Sequence, residues 1–173
     1  MLQQILANTP HWVWLLLLAL LGLGLSQAIT RTASLKRIAI LPLAITGLSL
    51  YGTITAFGAD PQVLLVWLSA ASLIVTLVLR QALPDATRYD TATQRFTLPG
   101  SWVPLMLILG IFITKYVVGV GTAMQPALAR DANFSLGFGA LYGAFSGVFL
   151  ARAVRLWRLA LLQERSGTSA LAA

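Results

Sequence analysis

Long apolar segments alternating with short polar ones set the pattern of this chain. Apolar residues run nearly unbroken over about 11–28, 37–57, 62–79, 101–122 and 133–151, and apart from Arg37 at the edge of the second segment, Lys115 is the one charged residue within them. About twenty apolar residues make a helix long enough to cross a hydrocarbon layer roughly 30 Å thick. The pattern predicts an all-α integral membrane protein, a five-transmembrane-helix bundle that forms a single domain over residues 1–162. Residues 152–162, RAVRLWRLALL, continue the last helix as an amphipathic extension at the membrane surface. The final stretch, 163–173, reads as a flexible tail.

The punctuation between segments supports these boundaries. Asn8-Thr9-Pro10 reads as a polar cap followed by proline at a helix start. In Gly58-Ala59-Asp60-Pro61 the glycine closes one helix, the aspartate caps the next and the proline opens it. Ser101 can cap the fourth helix, with Pro104 in its first turn. Pro42 has two readings: a first-turn proline if the second helix starts near Ile40, or a kink if it starts earlier. The longest polar stretch, between segments three and four, forms either a short β-hairpin or an irregular loop. In the hairpin, Thr91-Ala92-Thr93-Gln94 is the turn, Tyr89 lies opposite Phe96 and Asp90 lies opposite Arg95. A two-stranded hairpin is marginal by itself and has to lean on the helices or the membrane surface.

Composition narrows the class further. Hydrophobic residues make up 58% of the 173 and charged residues 10%, where soluble domains carry about 25% charged residues. The net charge of +7 does not indicate a nucleic-acid partner, because ten of the twelve Lys and Arg residues fall on alternate connections and at the C-terminal end. Arg130 is the exception on the opposite side, and Lys115 lies within a segment. By the positive-inside bias, the N-terminus is expected outside and the C-terminus in the cytoplasm of a bacterial inner membrane. The first segment shares the Ser26-Gln27-Ala28 pattern of a cleavage site but has no cationic stretch before it, so it reads as a retained helix. Cysteine is absent and histidine occurs once, which leaves no thiol chemistry and little for a metal or haem.

Lys115 is the costliest residue. It lies about 21 Å along the fourth helix from Ser101, where a lysine costs on the order of 2–3 kcal/mol unless it finds a partner. Either its stem snorkels to the outer surface, or its ammonium enters a polar site with Asp60 or Asp131 and with the hydroxyls of Tyr51 or Tyr142. Such a site would favour an anionic substrate group or a proton-linked ion pair. Ser135, Gly139, Gly143, Gly147 and Ala151 form a bare face with a four-residue period, suited to close packing within the chain or to homo-oligomerisation. His11, Trp12 and Trp14 fit an aromatic belt. No hydrolase, phosphate-loop or metalloprotease motif is present, so neither an enzyme nor a cofactor or metal site is expected.

A weak internal repeat pairs segments two and four, each with Pro-Leu near its start, and segments three and five, each ending at an arginine. Basic residues precede a Pro-containing second segment, then come Arg88-Tyr89-Asp90, Arg95-Phe96, Leu98-Pro99-Gly100-Ser101-Trp102-Val103-Pro104-Leu105 and Lys115-Tyr116, and a glycine-rich segment runs into Arg152. This order resembles a group of small bacterial inner-membrane proteins of unknown function. More loosely, the layout is similar to that of CcdC-like proteins, which are named for a genomic association with cytochrome c biogenesis. The resemblance covers roughly residues 31–158 and brings no catalytic residues with it. Two functions follow as expectations: a small oligomeric transporter or channel-like protein with a polar site around Lys115, or a non-catalytic accessory subunit that docks partners through its hairpin and C-terminal helix.

Overall fold

The computed structural model describes the backbone of residues 9–82, 87–91 and 93–171, and within these the side chains of all but residues 35, 37, 41 and 165–171. The protein is mostly helical, with four apolar helices of membrane length and a small three-stranded sheet. In chain order the elements are α1 (His11–Leu25), β1 (Arg31–Ser34), α2 (Leu35–Phe57), α3 (Pro61–Leu79), β2 (Arg88–Asp90), β3 (Arg95–Leu98), α4 (Val103–Met124), a 3-10 turn (Pro126–Arg130) and α5 (Ala132–Leu171). The 15 residues of α1 reach only about 22 Å, short of a full hydrocarbon layer.

Sequence punctuation explains most of the ends. Asp60 accepts a hydrogen bond from the Gln62 N–H at 2.8 Å, with Pro61 opening α3. Gly58 takes φ +78°, the left-handed turn expected of it. Asp131 caps α5 in the same way, through the Phe134 N–H at 2.8 Å. One start differs from expectation, and another takes one of the two readings left open. Pro10 is itself the cap residue of α1, and the Thr9 hydroxyl bonds the Tyr116 hydroxyl at 2.6 Å instead of capping. The second helix begins at Leu35, so Pro42 lies inside α2 and withholds one helical N–H.

The helices pack in two groups. α1 lies antiparallel on α4, touching it from Gly24 against Leu105 at one end to Thr9 against Tyr116 at the other. α5 packs most closely on α3, which runs parallel to it, and next on α2. Ser135, Gly139, Gly143, Gly147 and Ala151 face α3: a side chain at Gly139, Gly143 or Gly147 would meet Val63, the Trp67 backbone or the Ala71 carbonyl respectively. At these three glycines the face is filled within the chain. Outward apolar positions such as Leu43, Leu65, Leu73, Met106 and Ile113 stay exposed.

At one end the polar segment forms a hairpin in the expected register, Tyr89 opposite Phe96 and Asp90 opposite Arg95. The two rings lie 4.6 Å apart, and the Asp90 carboxylate also accepts from the Thr93 hydroxyl at 2.6 Å. Gln94 closes the turn at φ +52°. The support that such a hairpin needs comes from two places. Residues Arg31–Ser34 add a third antiparallel strand beside β3, and Phe96, fully buried, packs with Tyr89 against Ala160, Leu156 and Leu159 of α5. Helix α5 therefore continues past the bilayer-length part as a scaffold for the sheet. It stays helical to Leu171, through most of the expected tail over 163–173; residues 172–173 lie outside the described residues.

The Tyr89 hydroxyl and Glu164 carboxylate, 2.7 Å apart, tie the sheet to α5. This hydrogen bond, with burial and the nearby carboxylates behind it, raises the phenol above its ordinary 10.0. The folded state thus holds the phenol proton more tightly than the unfolded chain does. The tie contributes in full below pH 10 and is lost as pH rises through the raised folded value. A phenolate absorbance titration, as the difference between wild type and Tyr89→Phe, is expected to show a step above 10.0; a step at or below that value would contradict the tie.

Candidate functional site

The two helix groups line a partly open apolar cavity of about 860 Å³, with α1 and α4 on one side and α2 and α5 on the other. Its walls carry Trp12, Leu16, Ile45, Ile111, Phe112 and Phe149, among other apolar side chains, and its polar groups are few: Thr9, Ser49, Lys115, Tyr116, Tyr142 and Ser146. Lys115 supplies the one full charge among these lining residues.

The sequence places that charge well inside α4, and packing then aims it inward. The Lys115 ammonium reaches across to α2, where it lies against the bare backbone of Gly52, and stands 5.1 Å above the centroid of the Tyr142 ring. A side chain at position 52 would occupy the space of the ammonium. Tyr142 is nearly fully buried, at 3% exposure, and its place is fixed by a relay across three helices. The Trp67 indole N–H of α3 donates to the Ser49 hydroxyl of α2 at 3.2 Å, and that hydroxyl donates to the Tyr142 carbonyl of α5 at 3.1 Å. Ser146 donates to the same carbonyl at 2.9 Å. The Thr9–Tyr116 bond pins the start of α1 over the cavity.

Of the five residues suggested for a polar site, the structure joins two. Lys115 and Tyr142 meet in the cavity. Tyr51 is 66% exposed on α2 and is not a lining residue. Asp60 and Asp131 are both spent as helix caps, and among the described residues no carboxylate pairs with Lys115. The aspartates are at helix starts because capping places them there, beyond the membrane-length segments, so they cannot follow a lysine that turns inward. Ser49 and Gly52 were not singled out by sequence. Their spacing from Ile45, which also lines the cavity, is a helical i, i+4, i+7 stripe, a signal masked by the small polar residues on every side of this segment. Among the described residues no group of His, Cys, Asp or Glu is placed to hold a metal ion.

A family model described as a family of unknown function (DUF6622) matches residues 1–167. The chain belongs to DUF6622. Neither a curated protein nor a solved structure matches this DUF6622 chain. The family match agrees with the resemblance to proteins of unknown function and extends neither to the CcdC-like layout nor to a bacterial origin.

Proposed function

We propose that this DUF6622 protein spans a bacterial inner membrane five times, N-terminus outside, and binds and transports an amphiphilic anion in the Lys115 cavity. The observation that carries the reading is an ammonium held in an apolar cavity with a ring and, among the described residues, no carboxylate as its company. A cation–π contact returns about 0.5–2 kcal/mol, against on the order of 2–3 kcal/mol for a lysine at this depth. The remaining deficit is relieved by an anion, and the apolar walls select one with a hydrocarbon body. A cavity of about 860 Å³ matches the upper part of the range of small-molecule sites, roughly 300–1,000 Å³. The positive-inside bias supports the orientation, since the sheet end carries the basic residues and the end with Asp60 and Asp131 carries Arg130. With its 15 residues, α1 needs its flanks or a locally thinned bilayer to complete a span.

The accessory-subunit reading draws less support, because the apolar face of the hairpin is already used against α5. The purified full chain in mild detergent tests the ligand class. A dansyl-labelled fatty acid is expected to bind saturably and to be displaced by the unlabelled acid, whereas the matched dansyl-labelled alkylamine does not saturate. Equal binding of the acid and the amine overturns the proposal.

A further inference from the structure

Four helices wall the Lys115 cavity, and three of the seams between them are closed by contacts. α1 meets α4 through Thr9 and Tyr116 at one end and through Gly24 and Leu105 at the other. α4 meets α5 where a Cβ on Gly110 would lie 3.0 Å from the Phe145 ring, and where Lys115 stands over Tyr142. α5 meets α2 through the Tyr142 carbonyl and the Ser49 hydroxyl. The fourth side lies between α1 and α2. Here Trp12 and Leu16 of α1 and Leu48 of α2 line the cavity, yet they are 62%, 43% and 62% exposed. Large apolar side chains that belong at once to a cavity and to the outer surface mark its mouth.

Depth decides what lies outside that mouth. From Leu48 to the end of α2 at Phe57 is about 13 Å along the helix, in a hydrocarbon layer roughly 30 Å thick. Gly52, against which the Lys115 ammonium lies, is about one helical turn from Leu48, so the mouth opens near the level of the charge. A small anion arriving from water by this path would lose its hydration at a cost of several kcal/mol. An amphiphile already lying in the bilayer has its tail at this depth. One rim of the mouth is also free to move about a fixed point. A Cβ on Gly24 would collide with the Leu105 side chain and one on Gly100 with the Ala28 carbonyl, and the Ser101 N–H donates to the Gln27 carbonyl at 3.0 Å. Trp12 stands about 18 Å along α1 from Gly24, so a small rotation at this clamp displaces the rim at Trp12 the most.

We infer that the mouth between α1 and α2 admits the ligand sideways from the bilayer, with the outer half of α1 as its moving edge, so that the ligand is an amphiphile already dissolved in the membrane. This rests on the Lys115 site proposed above and adds its route of entry and the phase that supplies it.

The chain has no cysteine, so Trp12→Cys with Leu48→Cys places its only thiols on the two rims. A short bifunctional methanethiosulfonate joins them through bonds that a reductant breaks. Applied to the full chain in lipid nanodiscs before the dansyl-labelled acid, the bridge is expected to prevent saturable binding. Applied after loading, it is expected to trap the labelled acid against a chase of unlabelled acid, and reduction should restore exchange in both cases. Trapping separates a closed mouth from a damaged site, because a bridge that distorted the cavity would release the acid. Leu16→Cys with Leu48→Cys spans the same mouth and is expected to behave alike, which keeps the test open if the first pair fails to fold. Release of loaded acid on bridging overturns the inference. Free exchange with the bridge in place also overturns it but leaves the Lys115 site standing, with entry at the outer end past Met124, which lines the cavity and is exposed. Absence of saturable binding in wild type removes the site itself, and the inference with it.

Discussion

Lys115→Leu is expected to make the protein more stable and less able to bind its ligand. The lysine costs on the order of 2–3 kcal/mol at its depth, of which the Tyr142 ring returns only part, so leucine should gain about 1–2 kcal/mol in the ligand-free state. Affinity for the dansyl-labelled acid should drop by about tenfold or more, since a hydrogen bond to a charged group is worth about 1.5–3 kcal/mol. Opposite signs in the two measurements are the mark of a residue retained for binding. Lys115→Arg separates charge from shape: it keeps the cation, but its larger head has to share the space left by Gly52. Thermal unfolding in detergent and a fluorescence titration read the two effects. A destabilised Lys115→Leu with undiminished binding would show that the lysine serves packing, and the ligand proposal would fall.

The contrast between Lys115 and its expected partners shows what the sequence could convey. Helix positions were legible because about twenty apolar residues, a capping aspartate and a proline are local signals. The hairpin register was legible for the same reason, since cross-strand pairing of Tyr89 with Phe96 depends on residues a few positions apart. The third strand was not. Arg31–Ser34 carries neither a long alternation nor aromatic residues, and it becomes a strand because the edge of β3 is available beside it. The same limit applied to Lys115. Its depth follows from counting along one helix, but its direction depends on Gly52 of α2 leaving room and on Tyr142 of α5 presenting a ring, and neither contact has a signature within α4. Asp60 and Asp131 attracted attention as charges near the right depth, although local capping chemistry had already claimed both.

The cavity depends on close packing elsewhere, which makes Gly143 a damaging place for a single methyl group. An alanine Cβ at Gly143 would collide with the Trp67 carbonyl oxygen and lie 3.0 Å from the Trp67 Cα. These are backbone atoms of a helix, and no rotamer change removes them. α3 and α5 have to separate, at a cost of about 1–3 kcal/mol or more, which outweighs the roughly 1 kcal/mol that alanine gains over glycine in helix propensity. Gly137→Ala isolates the propensity term, because nothing lies within 4 Å of a Cβ there, and it is expected to be neutral or slightly stabilising. The effect of Gly143→Ala should also reach the ligand, although Gly143 does not line the cavity. Its neighbour Tyr142 is held through Ser49 to the indole of Trp67, so parting α3 from α5 breaks the relay and draws the ring away from Lys115. Thermal unfolding and titration with the dansyl-labelled acid are expected to show both losses in Gly143→Ala and neither in Gly137→Ala. Matching behaviour of the two variants would mean that the glycine face does not set the position of Tyr142.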